Sequence, residues 1–286
     1  RGNYIYPIKL LVISAMDSNT ITAYRPGSSF PAVSVTGRGC DLMCDHCRGV
    51  HLKGMAPVGG PDELVRKALE IKRNGGTGML ISGGCDQSGR VPLLRLADAI
   101  RKVSESGLEI NVHAGLVDAD EAQRLVDSGV SAFSVDVHQD PSVIRNVLHL
   151  SRGPEAYGET VDGIISAGGR VVPHLTVGFG TADLMLSAEF LKSRNIHDVT
   201  LLALIPAAGT EVNAHVPREG VVGSVSLLRN TGFDVTLGCM RGRDHVLETE
   251  CITAGVRKIA NPSLRTVRWA EENGFTVTEI KKCCSF

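Results

Sequence analysis

The stretch Ala32-Val33-Ser34-Val35-Thr36-Gly37-Arg38-Gly39-Cys40-Asp41-Leu42-Met43-Cys44-Asp45-His46-Cys47 decides the fold. Its first half alternates Val with small polar residues, the pattern of a short β-strand over 32–37. Gly37 and Gly39 break that strand, and three thiols follow at once with the spacing CxxxCxxC, Cys40, Cys44 and Cys47. Thiols that close together in one loop form a ligand set more readily than a packing motif.

The same unit, a short apolar run followed by a stretch with helical spacing, recurs along the chain. Strands are expected at 32–37, 78–83, 109–114, 132–138, 171–178, 199–206, 233–239 and 256–260. Helices are expected at 61–74, 90–106, 119–128, 154–167, 183–193, 221–230, 244–254 and 263–272, the first with Pro61 at its start. Eight parallel strands alternating with helices satisfy the right-handed crossover rule most simply by closing into a (β/α)8 TIM-type barrel, with an open doubly wound sheet as the second choice. No linker divides the 286 residues, so one α/β domain is expected, its barrel core at about 32–272. An N-terminal strand at 8–14 and a cysteine-containing tail at 275–286 are expected to cover the barrel ends.

Composition removes several classes. Lys+Arg 30 against Asp+Glu 31 gives a net charge of -1, with little pull on nucleic acid or an anionic membrane. A hydrophobic share of 43% excludes disorder. No run of 18 apolar residues exists, and the opening residues carry no apolar segment followed by a cleavage site, so a cytoplasmic protein is expected. Eight cysteines then call for something other than a disulfide framework.

In a barrel of this kind, chemistry sits where strands run into loops at the C-terminal face. Three thiolates from Cys40, Cys44 and Cys47 would hold a [4Fe-4S] cube with one iron free for an exogenous ligand. A zinc ion would need a fourth ligand, which His46 or His51 could supply. The motif in this position resembles the signature of the radical S-adenosylmethionine superfamily. That resemblance implies reductive cleavage of S-adenosylmethionine to methionine and a 5′-deoxyadenosyl radical, which abstracts an unactivated hydrogen. It places the backbone of His46 beside the adenine and Gly83-Gly84, after strand two, at the methionyl amino group, with Cys85 standing where an acidic residue is common. Ser134, Asp136 and His138 share one face of strand four by their period of two, and the resemblance puts such residues at the ribose, Asp136 first. Thr176-Val177-Gly178-Phe179-Gly180 resembles the strand-five glycine motif. The segment from Ile205 to Thr210 resembles the strand-six segment of the biotin synthase branch, where Ile205 would pack on adenine.

Cys85 and Cys239 end strands two and seven, and Cys283 and Cys284 lie in the tail KKCCSF. Together they are candidate ligands of a second, auxiliary Fe–S cluster that could be consumed as a sulfur donor; ordinary buried thiols are the alternative. The tail and the biotin-synthase-like strands resemble the archaeal-type two-protein lipoyl synthases. That implies an octanoylated carrier protein or peptide as substrate, a paralogous radical S-adenosylmethionine partner, and an electron donor of ferredoxin or flavodoxin type. Another biotin-synthase-like reaction (methylation, rearrangement or cofactor maturation) and a non-catalytic Fe–S electron carrier are the alternatives.

Other features read as structural. Cys251 falls in a helix and is expected to be buried packing. His149, His197, His215 and His245 are expected in solvated or capping roles, and His113 and His174 as satisfied barrel-interior residues. Gly75-Gly76-Thr77-Gly78 precedes a strand and reads as a turn, and Arg241 and Arg243 could meet a carboxylate, the cluster or solvent.

Overall fold

The computed structural model describes residues 19–207, 209–210, 212 and 215–286. Strands are β1 Thr20–Tyr24, β2 Ala32–Ser34, β3 Ala56–Pro57, β4 Gly78–Ser82, β5 Glu109–Val112, β6 Ala132–Asp136, β7 Val171–Val177, β8 Asp198–Ala203, β9 Asp234–Leu237, β10 Lys258–Ala260 and β11 Thr276–Ile280. Helices are α1 Pro61–Arg73, α2 Ala97–Glu105, α3 Ala119–Asp127, α4 Pro141–Asn146, α5 Glu155–Ser166, α6 Thr181–Lys192, α7 Arg218–Asn230, α8 His245–Thr253 and α9 Leu264–Glu272. Helix starts follow local chemistry: Pro61 opens α1, and Asp118 and Glu121 form a reciprocal capping box on α3.

All eight expected strands are present, and β1, β3 and β11 join them. The expected closed eight-stranded barrel is not what forms. One parallel sheet runs in the order β11-β1-β10-β9-β8-β7-β6-β5-β4-β2-β3, and among the described residues no ladder joins its two ends. The sheet therefore curls into an open barrel with edges at β3 and β11. The physical reason lies in the two strands added beside β10, which leave a seam between β11 and the β2–β3 edge that side chains fill instead of backbone pairing. The Tyr24 hydroxyl donates to the Phe286 carbonyl oxygen at 2.6 Å, the Phe30 and Phe286 rings stand 5.4 Å apart, and Thr77 Oγ1 donates to the Lys281 carbonyl oxygen at 3.0 Å.

The tail expected over the barrel ends thus contributes a strand and then turns inward. Lys282 reaches Glu109, the first residue of β5, at 2.8 Å, and Ser285 is buried beside Asn111 and Ser134. The strand expected at 8–14 lies outside the described residues.

Polarity is inverted across the sheet. Phe133, Val135, Leu175, Val199, Leu201, Val235 and Leu237 point outward into one continuous apolar layer shared with the helices. Register places Asp136, His174, Thr200 and Thr236 side by side in one row. By the period of two, that row faces the other way, into the lumen. Because the helices cover the outer face, burial of apolar area is complete without the inner one, and the inner wall is free to be polar. The usual filling of such barrels by layers of branched apolar side chains is absent from this row.

Candidate active site

The cysteine loop is braced from two sides. From β4, the Cys85 carbonyl oxygen accepts from the Asp41 amide at 2.8 Å, and Thr36 Oγ1 accepts from the Gly84 amide at 2.7 Å. From the segment after α4, the Val147 carbonyl oxygen accepts from the Asp45 amide at 2.9 Å and the Leu148 carbonyl oxygen from the Cys44 thiol at 3.4 Å. His149 closes the brace: its Nδ1 lies 2.9 Å from the Leu42 carbonyl oxygen and its Nε2 3.0 Å from Asp45. The solvated or capping role expected for His149 is therefore replaced by a clamp on the loop. Leu42 and Cys44 sit on an apolar floor of Ile144, Leu148, Leu150 and Tyr157.

Ligand atoms of Cys44, His46 and Cys47 all lie within 4.8 Å of one another, and Cys40 borders the same apolar group. The Cys44 thiol donates toward Cys47, which together with His46 pulls the Cys47 thiol down against the opposing effect of burial; Cys44 is pushed up in turn. Two thiols sharing a proton release it when a metal arrives, so this pair is ready for ligation. His46 Nδ1 is buried without a hydrogen-bond partner. Three soft sulfur donors fit an Fe–S cube with one open corner.

Around this loop the structure gathers most of the expected cofactor-binding residues. A Cβ on Gly84 would fall 1.9 Å from the Gly39 carbonyl oxygen and 2.6 Å from Cys40 Cα, so only glycine lets β4 abut the loop. Gly83 precedes it on the same approach. Gly178 has φ 126°, and a Cβ there would meet the Leu204 side chain at 2.8 Å. Phe179 stands edge-on to both His46, at 5.2 Å, and His138, at 5.1 Å. His138 Nδ1 lies 2.7 Å from Asp183 Oδ2, and Asp183 Oδ1 accepts the amides of Gln139 and Asp140 at 2.8 and 2.9 Å. Ile205 is exposed just past the end of β8.

Ser134 is not among them. Its hydroxyl is engaged by Asn111 and Ser285, each about one hydrogen-bond length away at 3.0 Å, which ties it to the tail.

Asp136 and His113 line the chamber below. The Asp136 side chain is 54% accessible and yet strongly desolvated, the combination expected of a group on the wall of an internal space. Burial raises its carboxyl, but His174, His113 and His138 outweigh that and hold it well below the usual carboxylate range. Burial, reinforced by His174, pushes His113 down to about 4. His174 was expected to be satisfied; its Nδ1 is paired with Asp136 Oδ1 at 3.3 Å, while its Nε2 is buried without a hydrogen-bond partner.

The remaining thiols divide. Cys85 packs beside Cys40 and Cys47, and burial pushes it up to about 12. Cys239 lies at the end of β9 within electrostatic reach of Cys283 and Cys284. The Cys284 thiol donates toward Cys283, holding the latter down, with Ser285 and His174 adding to the effect. Cys251 is fully buried in α8. Arg241 faces neither cluster nor solvent: it is 1% exposed and paired with Glu248 at 2.5 Å.

Sequence reasoning missed Asp183, Asn111, Ser285 and Glu248. Asn111 was accessible to it, since it precedes His113 by two residues on one strand face; the others are brought in by tertiary contacts that no spacing announces.

An open parallel α/β barrel with a three-cysteine loop at the C-terminal end of its first core strand defines an enzyme built around an Fe–S centre. The chain belongs to the radical SAM superfamily, whose family profile matches residues 34–184. It resembles the biotin synthase of Halorhodospira halophila, 25% identical over 82% of this chain and 77% of that protein. It also resembles the biotin synthase of Cupriavidus pinatubonensis, 25% identical over 79% and 70%. The mitochondrial biotin synthase of Saccharomyces cerevisiae is 31% identical over 37% of this chain, and the match spans only 30% of that protein's length. Among solved structures, methylornithine synthase superposes with a TM-score of 0.64 at 14% identity, over 91% of this chain and 84% of that one. The FeFe-hydrogenase maturase HydG from Carboxydothermus hydrogenoformans superposes with a TM-score of 0.66 at 19% identity, over 91% and 68%. These two likenesses concern the fold. Among the described residues no helix is long and apolar enough to cross a membrane.

Proposed function

We propose that this radical SAM enzyme inserts sulfur at an unactivated C–H bond, as one component of a lipoyl synthase acting on an octanoylated carrier protein, with a paralogous partner and a ferredoxin- or flavodoxin-type electron donor. The observation that supports the sulfur chemistry is that Cys239 at the end of β9 is within electrostatic reach of the tail thiols Cys283 and Cys284. A thiol set facing the chamber would hold a second Fe–S cluster whose sulfide is within reach of a bound substrate. Cys85, which packs on the first loop, falls outside that set.

When bound by Cys40, Cys44 and Cys47, the first cluster supplies the electron that cleaves S-adenosylmethionine to methionine and the 5′-deoxyadenosyl radical. The chain's own part is positioning. Gly83 and Gly84 bring backbone to the methionyl end, and His46 and Ile205 border the adenine. Gly178 makes room for the cofactor, while Asp136 offers an ionised carboxylate to the ribose. The His138 ring, oriented by Asp183, forms one wall beside Phe179. Holding the substrate carbon beside the nascent radical is worth more here than acid–base work.

A second reading, another biotin-synthase-like reaction on a polar small molecule, is favoured by the polar inner row of Asp136, His174, Thr200 and Thr236. Anaerobic reconstitution followed by iron and sulfide counts tests the second cluster: about eight irons per chain support it, and about four remove the sulfur donor. Mass spectrometry of an octanoyl-lysine peptide incubated with enzyme, reductant and S-adenosylmethionine then separates the two readings. A gain of sulfur mass supports the first, and its absence alongside 5′-deoxyadenosine formation on a polar small molecule supports the second.

A further inference from the structure

The loop of Cys40, Cys44 and Cys47 is stitched to the segment 145–149, and the outer surface of that junction takes no part in the cofactor site. The Cys44 thiol donates to the Leu148 carbonyl oxygen at 3.4 Å, and the Asp45 amide to the Val147 carbonyl oxygen at 2.9 Å. Arg48 Nη2 and His149 Nε2 meet the same oxygen, Asp45 Oδ1, at 3.4 and 3.0 Å. Met43, the residue before Cys44, is 42% exposed. Arg145 is exposed in the last turn of α4, two residues before Val147. Met43, Arg48, Arg145 and His149 are thereby gathered on the outside of the cysteine loop.

We propose that this face docks an acidic one-electron carrier protein, which reduces the cluster bound at Cys40, Cys44 and Cys47. One electron crosses the contact, from the carrier's reduced centre to the cluster, and no atom is exchanged. The proposal rests on the electron-donor partner of the reading above and is independent of its sulfur chemistry.

Three observations support it. The first is the path: Cys44 is one covalent step from exposed Met43 and one 3.4 Å contact from the segment bearing Arg145 and His149, so a ligand sulfur lies close beneath the surface on two routes. The second is charge. The chain as a whole carries -1, whereas Arg48 and Arg145 stand on this face, Arg38 and Lys53 are exposed on either flank of the loop, and the Asp45 carboxylate is already engaged by Arg48 and His149. A local cationic surface steers an acidic partner and speeds its encounter. The third is the backbone. Among the described residues five non-glycines have positive φ, and three of them, Met43 at 43°, Arg48 at 45° and His149 at 59°, lie on this loop and its clamp. Cradling the cysteines explains the tight turns, but not an apolar side chain kept in solvent on one of them. A single exposed methionine is ordinary; beside arginines and next to a ligand cysteine it has the composition of an interface centre.

The test uses the full chain, reconstituted anaerobically, with a strongly acidic flavodoxin as probe. Binding of the oxidised flavodoxin is read by biolayer interferometry over a range of salt. 5′-Deoxyadenosine formation from S-adenosylmethionine is read separately with the reduced flavodoxin and with dithionite. Affinity is expected to fall as salt rises. Arg145→Glu is expected to weaken binding about 10-fold and to slow the flavodoxin-driven rate to match when the donor is limiting, with the dithionite-driven rate unchanged. Arg145→Lys should behave as the parent, and so should Arg73→Glu, the same charge reversal in the last turn of α1. Unchanged flavodoxin binding in Arg145→Glu, an equal loss with both reductants, or an equal loss in Arg73→Glu overturns the docking face. So does a parent enzyme that dithionite reduces and flavodoxin neither binds nor reduces. Self-association that Arg145→Glu abolishes in sedimentation, with flavodoxin binding intact, gives the face to a second copy and overturns the proposal too. In each case sulfur insertion that persists with dithionite leaves the proposed reaction standing; no 5′-deoxyadenosine from either reductant overturns both.

Discussion

Arg241 and Glu248 form a fully buried ion pair, 2.5 Å apart, behind the loop that carries Cys239. The Arg241 guanidinium also donates to the carbonyl oxygens of Gly238 and Ala260, and Glu248 accepts from the Ser263 amide and the Thr266 hydroxyl. The pair therefore ties the ends of β9 and β10 to the starts of α8 and α9. Removing one partner strands the other charge in the interior. Arg241→Met is expected to destabilise the protein by about 3–5 kcal/mol, and the double variant Arg241→Met/Glu248→Leu to recover much of that loss. Chemical denaturation of the four proteins in the cycle checks this; equal losses in the single and double variants would contradict it.

Gly84 is the tightest contact between β4 and the cysteine loop. Gly84→Ala should push the loop off its brace, costing about 1–3 kcal/mol. It should also lower iron retained at Cys40, Cys44 and Cys47, while Gly223→Ala, in open space within α7, leaves the iron unchanged and stabilises the helix by about 0.5–1 kcal/mol. Iron counts after gel filtration read the difference.

Asp183 orients the His138 ring proposed as a wall of the cofactor site and also holds the amides of Gln139 and Asp140. Asp183→Asn leaves the size of the side chain alone but weakens the grip on the ring. S-adenosylmethionine affinity is expected to fall about 10-fold or more, as for other outer-shell partners, with the iron content unchanged. Equilibrium dialysis with the reconstituted protein measures it; unchanged affinity would remove His138 from the cofactor wall.

Asn111 holds the tail. Asn111→Leu removes the amide that donates to both Ser134 and Ser285 and leaves those hydroxyls only each other, a loss of about 1–3 kcal/mol. The same change should speed tryptic cleavage after Lys282, which the folded tail protects.

On the proposed two-cluster reading, Cys85→Ala should leave the iron content unchanged, at a cost of about 1 kcal/mol for the lost packing. On the same reading, Cys239→Ala should lower the iron count and leave the iron held by Cys40, Cys44 and Cys47. Iron loss on replacing Cys85 would return it to the ligand set.

Much of this architecture was legible in the chain. The run 132–138 shows why: Phe133, Val135 and Val137 alternate with Ser134, Asp136 and His138, and that alternation specifies both a strand and which face meets the helices. The cysteine loop was equally plain, since its ligands are local in sequence. Closure was not, because whether a curled sheet seals depends on backbone pairing between strands far apart in the chain. The segment Thr276–Ile280 alternates as a strand should, but only its ladder with β1 shows that the tail belongs to the sheet. Ser134 was expected at the ribose, and its hydroxyl is engaged by Asn111 and Ser285; period two gives direction and not height. His174 was expected to be paired because buried polar groups usually are; its Nδ1 meets Asp136, and no pattern along the chain marks the bare Nε2.

The inverted polarity of the sheet has an evolutionary consequence. Since the load of folding is carried by the helix-facing side of each strand, residues such as Thr200 and Thr236 can be exchanged with little penalty to the scaffold. A wall of that kind can acquire a new substrate one substitution at a time, which is how a single architecture comes to serve many unrelated transformations.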